Sequence, residues 1–183
     1  MPDHPMPEVY VQPGESHLVS QPAILRTVLG SCVGITFLIP RIGVAALCHP
    51  MLPRCPENRL AKLTAATRAR YVDLAIHDVS LQLDALGAIR AETQVKLFGG
   101  GDVLSVADDA VRPTVGRLNC ESALRSLEEE GFHVFVSILG GASGVHIQFD
   151  TVSGEVLLRR LDPGAAKASH DFRRSVQRAV RNR

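Results

Sequence analysis

Apolar residues along this chain gather in short β-branched runs toward both ends of its ordered part, with helix-spaced stretches between them. Ile24 to Val28, Val33 to Ile39 and Val44 to His49 predict three strands. The turn-forming link Pro40-Arg41-Ile42-Gly43 predicts that the second and third form a hairpin. From about Thr64 to Leu86, Val72, Ala75, Ile76, Val79, Leu83 and Leu86 recur at three- and four-residue steps, which predicts one long helix stopped at Gly87. Val95 to Phe98 predicts a buried strand running into Gly99-Gly100-Gly101-Asp102, and Asn119 is the expected N-cap of a helix over Cys120 to Glu130. Phe132 to Leu139, Gly144 to Phe149 and Glu155 to Leu161 predict three further strands. Strands in runs, with helices between the runs, favour an α+β fold over a doubly wound parallel sheet. Residues 1–16, with Pro2, Pro5, Pro7, Pro13 and Gly14, read as an irregular lead-in to a single domain over 1–162, and 163–183 reads as a tail.

The chain has 183 residues, 45% of them apolar and 21% charged, enough for one well-formed core. Aromatics are only 4% with no Trp, which argues against a stacking platform for single-stranded nucleic acid. The net charge of +1 gives no general attraction to nucleic acid or an anionic membrane. That near-neutrality hides an asymmetry: residues 163–183 carry a net +5 and the rest −4. Phe172, Val176 and Val180 in this tail have the spacing of an amphipathic helix, and a solvated tail fits equally well. The most apolar stretch, Val33 to Cys48, is interrupted by Pro40 and Arg41 and is too short for a membrane span, and no secretory leader is signalled, so a cytoplasmic location is expected. Four cysteines with no C-x-x-C pair predict reduced thiols and neither a disulfide scaffold nor a metal site.

The sharpest chemical feature is Leu29-Gly30-Ser31-Cys32, a cysteine placed just after a strand and a Gly-Ser break. A sharp turn there leaves backbone N–H groups at Gly30 to Cys32 aimed at whatever the thiol attacks, the raw material of an oxyanion hole. The alternative is a structural cysteine acting as a small buried hydrophobe. A reactive thiol needs an activating neighbour, and His49 is the candidate. Hairpin pairing with residue sums near 81 to 83 sets His49 across from about Cys32 to Gly34, within reach for an imidazole to take the thiol proton. Strand alternation turns Cys48 to the opposite, core-facing side, while Cys55 reads as an exposed loop thiol and Cys120 as a first-turn helix residue. The glycine run 99–101 lacks a following Gly-Lys-Ser/Thr and reads as close backbone packing or a wall beside the site.

An ordered series of motifs resembles the bacterial chemoreceptor glutamine deamidases, the CheD family. Thr27 to Val33 has the form Thr-x-Leu-Gly-Ser-Cys-Val, and Ala46 to Pro53 the form Ala-x-x-His-x-Met-Leu-Pro. Arg70-Tyr71-Val72-Asp73, Lys96 to Gly101, Val115 to Asn119, Gly140-Gly141 and Ser153-Gly154-Glu155 follow in order. The resemblance implies a β-sheet sandwich flanked by helices, similar to the catalytic domains of cysteine-dependent deamidating toxins. It implies Cys32 as nucleophile, His49 as base and Thr27 as the third member, with backbone groups near Gly30 and Ser31 at the oxyanion. Some relatives carry that threonine one position further from the cysteine, at the place of Arg26 here. Relatives tend to have an arginine where this chain has Val145, so substrate preference is expected to differ. The implied activity is conversion of receptor glutamine to glutamate without metal or organic cofactor, with receptor methyl-ester hydrolysis as a related activity. The implied partners are the cytoplasmic domains of methyl-accepting chemotaxis receptors and a chemotaxis phosphatase. The other reading is an adaptor that regulates that phosphatase or a receptor array.

Overall fold

The computed structural model describes residues 6–102 and 113–161. The basic tail and the Asp108-Asp109 pair lie outside the described residues. Among the described residues nine strands and four helices follow in the order β1 (Glu8–Tyr10), β2 (Ser16–Val19), β3 (Ile24–Leu29), β4 (Val33–Ile39), β5 (Val44–Cys48), α1 (Glu57–Leu60), α2 (Ala65–Arg68), α3 (Val72–Ala85), β6 (Gln94–Gly99), α4 (Val115–Glu129), β7 (Val134–Leu139), β8 (Val145–Asp150) and β9 (Val156–Arg160). They form two mixed sheets, β1-β3-β8-β9 and β2-β5-β4-β6-β7. The α+β class expected from the runs of strands is what the chain adopts.

Alternation on the strands explains the layering. On β3 and β8, Leu25, Leu29, Ile147 and Phe149 point inward and meet Leu38, Ala45, Leu47 and Phe98 of the larger sheet, making the sandwich interior. The opposite face of the larger sheet carries Ile35, Phe37, Ala46, Cys48 and Leu97, which pack against Val72, Ile76, Val79 and Leu83 of α3 and Ala123 and Leu127 of α4. Strands β4 and β5 are therefore buried on both faces and read as almost continuous apolar runs, interrupted only by Thr36. Each fully buried Leu, Ile or Phe contributes about 1.5–3 kcal/mol of transfer free energy, so these two layers dominate stability. The helices cover one sheet only.

Three expectations change. Two segments of the lead-in and its boundary are strands: β1 pairs in parallel with β3 and β2 pairs antiparallel with β5. They are only three and four residues long, too short to show a period. The long helix over Thr64 to Leu86 is two helices, broken at residues 69–71. There the Arg70 carbonyl accepts from the Met51 and Leu52 amides, both at 2.9 Å, and the Val72 amide donates to Leu52 and Pro53. Backbone groups that would continue the helix instead hold the segment after His49. The second helix starts five residues earlier than expected, at Val115. Thr114 is its N-cap, accepting from the Arg117 amide at 3.2 Å, which leaves Asn119 inside the helix.

Candidate active site

The turn Gly30-Ser31-Cys32 carries the chain from β3 in one sheet to β4 in the other. Its carbonyls are all claimed by distant donors. The Gly101 amide donates to Gly30 O at 2.8 Å and the Gly100 amide to Cys32 O at 2.8 Å. The Asn119 Nδ2 donates to Ser31 O at 2.8 Å and also to Met51 O at 3.1 Å. Two carbonyl acceptors on one amide group fix which end is the nitrogen. Among the described residues no acceptor takes the Ser31 amide, and the Cys32 amide is turned toward its own Sγ, so both lie where an oxyanion formed at that sulfur would need donors. The glycine run is the packing partner of this turn. A Cβ on Gly99 would lie 2.5 Å from Cys32 O, and one on Gly100 would lie 2.0 Å from Cys120 Sγ, so backbone approaches here where no side chain fits.

His49 follows β5 and is held by its own backbone: its amide donates to Glu15 O at 2.9 Å and its carbonyl accepts from Gly14 N at 2.7 Å. The β4–β5 register pairs Ile35 with Cys48, and its continuation by one pair sets His49 opposite Gly34. The Val33 amide reaches Pro50 O at 3.4 Å, so the residues just after Cys32 and just after His49 touch through their backbones. Thr27, on the inward face of β3, places Oγ1 2.6 Å from His49 Nδ1 and donates to Val11 O at 2.8 Å. A hydroxyl has one proton to give. With that proton on Val11 O, Oγ1 accepts from Nδ1–H, and the imidazole lone pair resides on Nε2. Arg26 points to the other face, where it pairs with Glu8. Thr27 and His49 are both fully buried.

The thiols differ sharply. Cys32 is half-buried, and burial pushes its pKa above that of an ordinary thiol, partly offset by its own backbone amide. Desolvation thus favours the neutral thiol in the resting site. Cys48 lies in the core against the helices, and burial pushes its pKa to about 12. Cys55 is not the exposed thiol expected. It is buried with Tyr71 and Leu74 in a small satellite cluster. Cys120 falls in the second turn of α4 rather than the first, half-buried against Gly100.

Val145, buried at 6% exposure, opens β8, and its cross-strand partner is Arg160, whose Nη1 would lie 3.3 Å from a Cβ on Gly141. Among the described residues, no three His, Cys, Asp or Glu side chains gather as metal ligands, and no helix is long and apolar enough to cross a membrane. Sequence reading missed two contributors, the Asn119 amide and the Val11 carbonyl. Asn119 carries a signal, a polar residue on the apolar side of a helix; Val11 acts through its backbone and carries none.

Comparison with known proteins follows the same lines. The family model "CheD chemotactic sensory transduction" matches residues 51–160. A protein of Geobacter sulfurreducens named "Probable chemoreceptor glutamine deamidase CheD 2" is 39% identical over 87% of this chain and 94% of its own length. One of Halalkalibacterium halodurans named "Chemoreceptor glutamine deamidase CheD" is 30% identical over 85% of this chain and 95% of its own. Among solved structures, a hypothetical protein YfiH of Bacillus licheniformis is similar with a TM-score of 0.43 at 14% identity. That match covers 67% of this chain and about half, 49%, of the other. The motif series, the family match and these relatives agree, and the chain belongs to the CheD family.

Proposed function

We propose that the protein is a protein-glutamine deamidase acting on the cytoplasmic helices of methyl-accepting chemotaxis receptors, with Cys32, His49 and Thr27 as its site. The observation that carries this reading is the Val11–Thr27–His49 relay beside the Cys32 turn, in a chain whose relatives bear the name chemoreceptor glutamine deamidase. A substrate carboxamide enters with its carbonyl oxygen toward the Ser31 and Cys32 amides. Because burial keeps the resting thiol neutral, His49 Nε2 takes the proton as Sγ attacks the carboxamide carbon, and the imidazolium forms only with the negative oxygen. The proton passes to the departing nitrogen, the C–N bond breaks, and ammonia leaves an acyl-thioester on Cys32. Nε2 then deprotonates water, which adds to the thioester; collapse releases glutamate and restores the thiol. Thr27 holds Nδ1–H throughout and keeps Nε2 facing the reaction.

A methyl ester follows the same path with methanol as the leaving group, so receptor methylesterase activity is the natural second reaction. A chemotaxis phosphatase is the second partner the family resemblance implies, and co-sedimentation of the two purified proteins tests it. The test of the main reading is peptide mass spectrometry of a receptor cytoplasmic domain incubated with the protein. Specific glutamines become glutamate with wild type and remain unchanged with folded Cys32→Ala, while Cys120→Ala retains conversion. Full conversion by folded Cys32→Ala would overturn the nucleophile.

A further inference from the structure

The sheet β1-β3-β8-β9 shows its outer face to solvent, and one end of that face is cationic. Arg26, His146, Gln148, Leu157 and Arg159 line a shallow groove of about 320 Å³ there. The register sets them in two rows: Arg26, Gln148 and Leu157 in one, Val28, His146 and Arg159 in the next. The charges are unbalanced. Arg26 is paired with Glu8, but Arg159 meets no carboxylate among the described residues. Burial, then Arg159, then Arg26 hold His146 below its ordinary pKa, as expected beside uncompensated positive charge. Leu157, 64% exposed, adds an apolar contact beside the guanidinium of Arg159.

Position gives this patch meaning. Arg160 pairs with Val145, which pairs with Leu29, the residue before the Cys32 turn. Its guanidinium lies against Gly141, whose carbonyl accepts from Asp102 N at 2.8 Å, one residue beyond the Gly101 that holds Gly30. Arg160 itself lies on the opposite face of β9, but the groove's rows step along β3 from Arg26 to Val28, two residues short of Gly30, so a segment lying over them leads toward the Cys32 turn. A lone phosphate would use the arginines and leave Leu157 idle; an extended or helical polypeptide with carboxylates and an apolar residue engages both.

We infer that this groove docks an acidic segment of the protein substrate flanking the glutamine that reaches Cys32. The inference rests on the deamidase reading for the nature of its ligand. Rim charges of this kind act through steering and modest affinity, and salt screens them.

The experiment compares two fluorescein-labelled peptides, one with glutamine flanked by glutamates and a leucine, the other with the glutamates replaced by serine. Binding to the full chain is read by fluorescence anisotropy at low and high salt, and glutamine conversion by mass spectrometry in the same samples. The wild type is expected to bind the acidic peptide more tightly than the neutral one, and high salt to remove the difference. Arg159→Glu should weaken the acidic peptide about fivefold, as one reversed surface charge allows, and leave the neutral one unchanged. Arg125→Glu, on the exposed side of α4 in the helical layer, changes charge away from the groove and should shift binding less than twofold. Circular dichroism confirms that each variant is folded. Equal affinity for both peptides, or equal loss in the groove and control variants, would overturn the docking surface. Groove-dependent binding without any conversion of glutamine by wild type would leave the surface standing and sink the deamidase reading instead.

Discussion

Strand β4 ends in two turns of opposite construction. At its C-terminal end, Pro40 to Ile42 make one 3₁₀ turn, and Gly43, at φ +64°, closes it by donating to Pro40 O at 3.3 Å. The backbone bond that closes the turn is local; only the Arg41 side chain reaches out, to Glu92 and to the Gly87 carbonyl. At the N-terminal end, Gly30, Ser31 and Cys32 have their carbonyls held by Gly101, Asn119 and Gly100, up to 88 residues away. The backbone of the first turn closes on its own residues. The second is assembled by the folded molecule, with its carbonyls drawn toward the glycine run and α4. A turn of the first kind joins strands; a turn of the second kind can be held in a geometry its own residues would not choose, which is what a preorganised site requires.

The sharpest way to break this contrast is a matched pair of glycine substitutions. Gly99→Ala and Gly43→Ala both place a side chain at positive φ, a strain of about 1–2 kcal/mol each. Only at Gly99 does the new Cβ also meet a backbone atom, Cys32 O at 2.5 Å; at Gly43 nothing lies within 4 Å. Gly99→Ala is therefore expected to abolish glutamine conversion and lower the Tm well beyond the effect of Gly43→Ala, which should keep full activity. Equal activity in the two variants would show that the Cys32 turn does not depend on the glycine run.

Next in size is Thr27→Val, which keeps shape and removes the hydroxyl. It should lower kcat about 10²- to 10³-fold with KM little changed, the signature of lost base orientation, while Arg26→Ala stays within twofold on a short neutral peptide. The reverse pattern would move the third member of the site to the other face of β3. Asn119→Ala should follow, destabilising by about 1 kcal/mol through the loss of its two hydrogen bonds to the Ser31 and Met51 carbonyls, and lowering kcat more than it raises KM. The smallest effect concerns the other thiols. Because burial holds Cys48 at about 12, iodoacetamide at pH 8 should leave it unmodified in the folded protein. Cys32, raised less strongly, should alkylate with a rate that climbs as pH rises past the ordinary thiol range.

Much of this was legible along the chain, for reasons that follow the same contrast. Strands β4 and β5 announce themselves because both faces are buried and nearly every position is apolar, with Thr36 the polar exception, and the hairpin between them is written in Pro40 and Gly43. Cys32 and His49 stood out because a Gly-Ser break precedes one and a proline-fixed segment follows the other. What stayed hidden depends on distant partners. Asn119 reads as an N-cap by its neighbours and acts instead as a clamp between Ser31 and Met51. The helix over 64–86 breaks because Arg70 gives its carbonyl to the segment after His49. The strand β1 and the Val11 carbonyl lie in a proline-rich lead-in whose local pattern offers no hint of pairing.

The most direct measurement of the central claim is capture of the acyl-enzyme. Wild-type protein is incubated with a receptor cytoplasmic domain in the presence of hydroxylamine, and the modified glutamines are read by peptide mass spectrometry. A thioester on Cys32 partitions between water and hydroxylamine, so the account predicts glutamyl hydroxamate alongside glutamate at the same positions, and neither product with folded Cys32→Ala. Glutamate formed by wild type with no hydroxamate at any hydroxylamine concentration, or formed undiminished by Cys32→Ala, would contradict it.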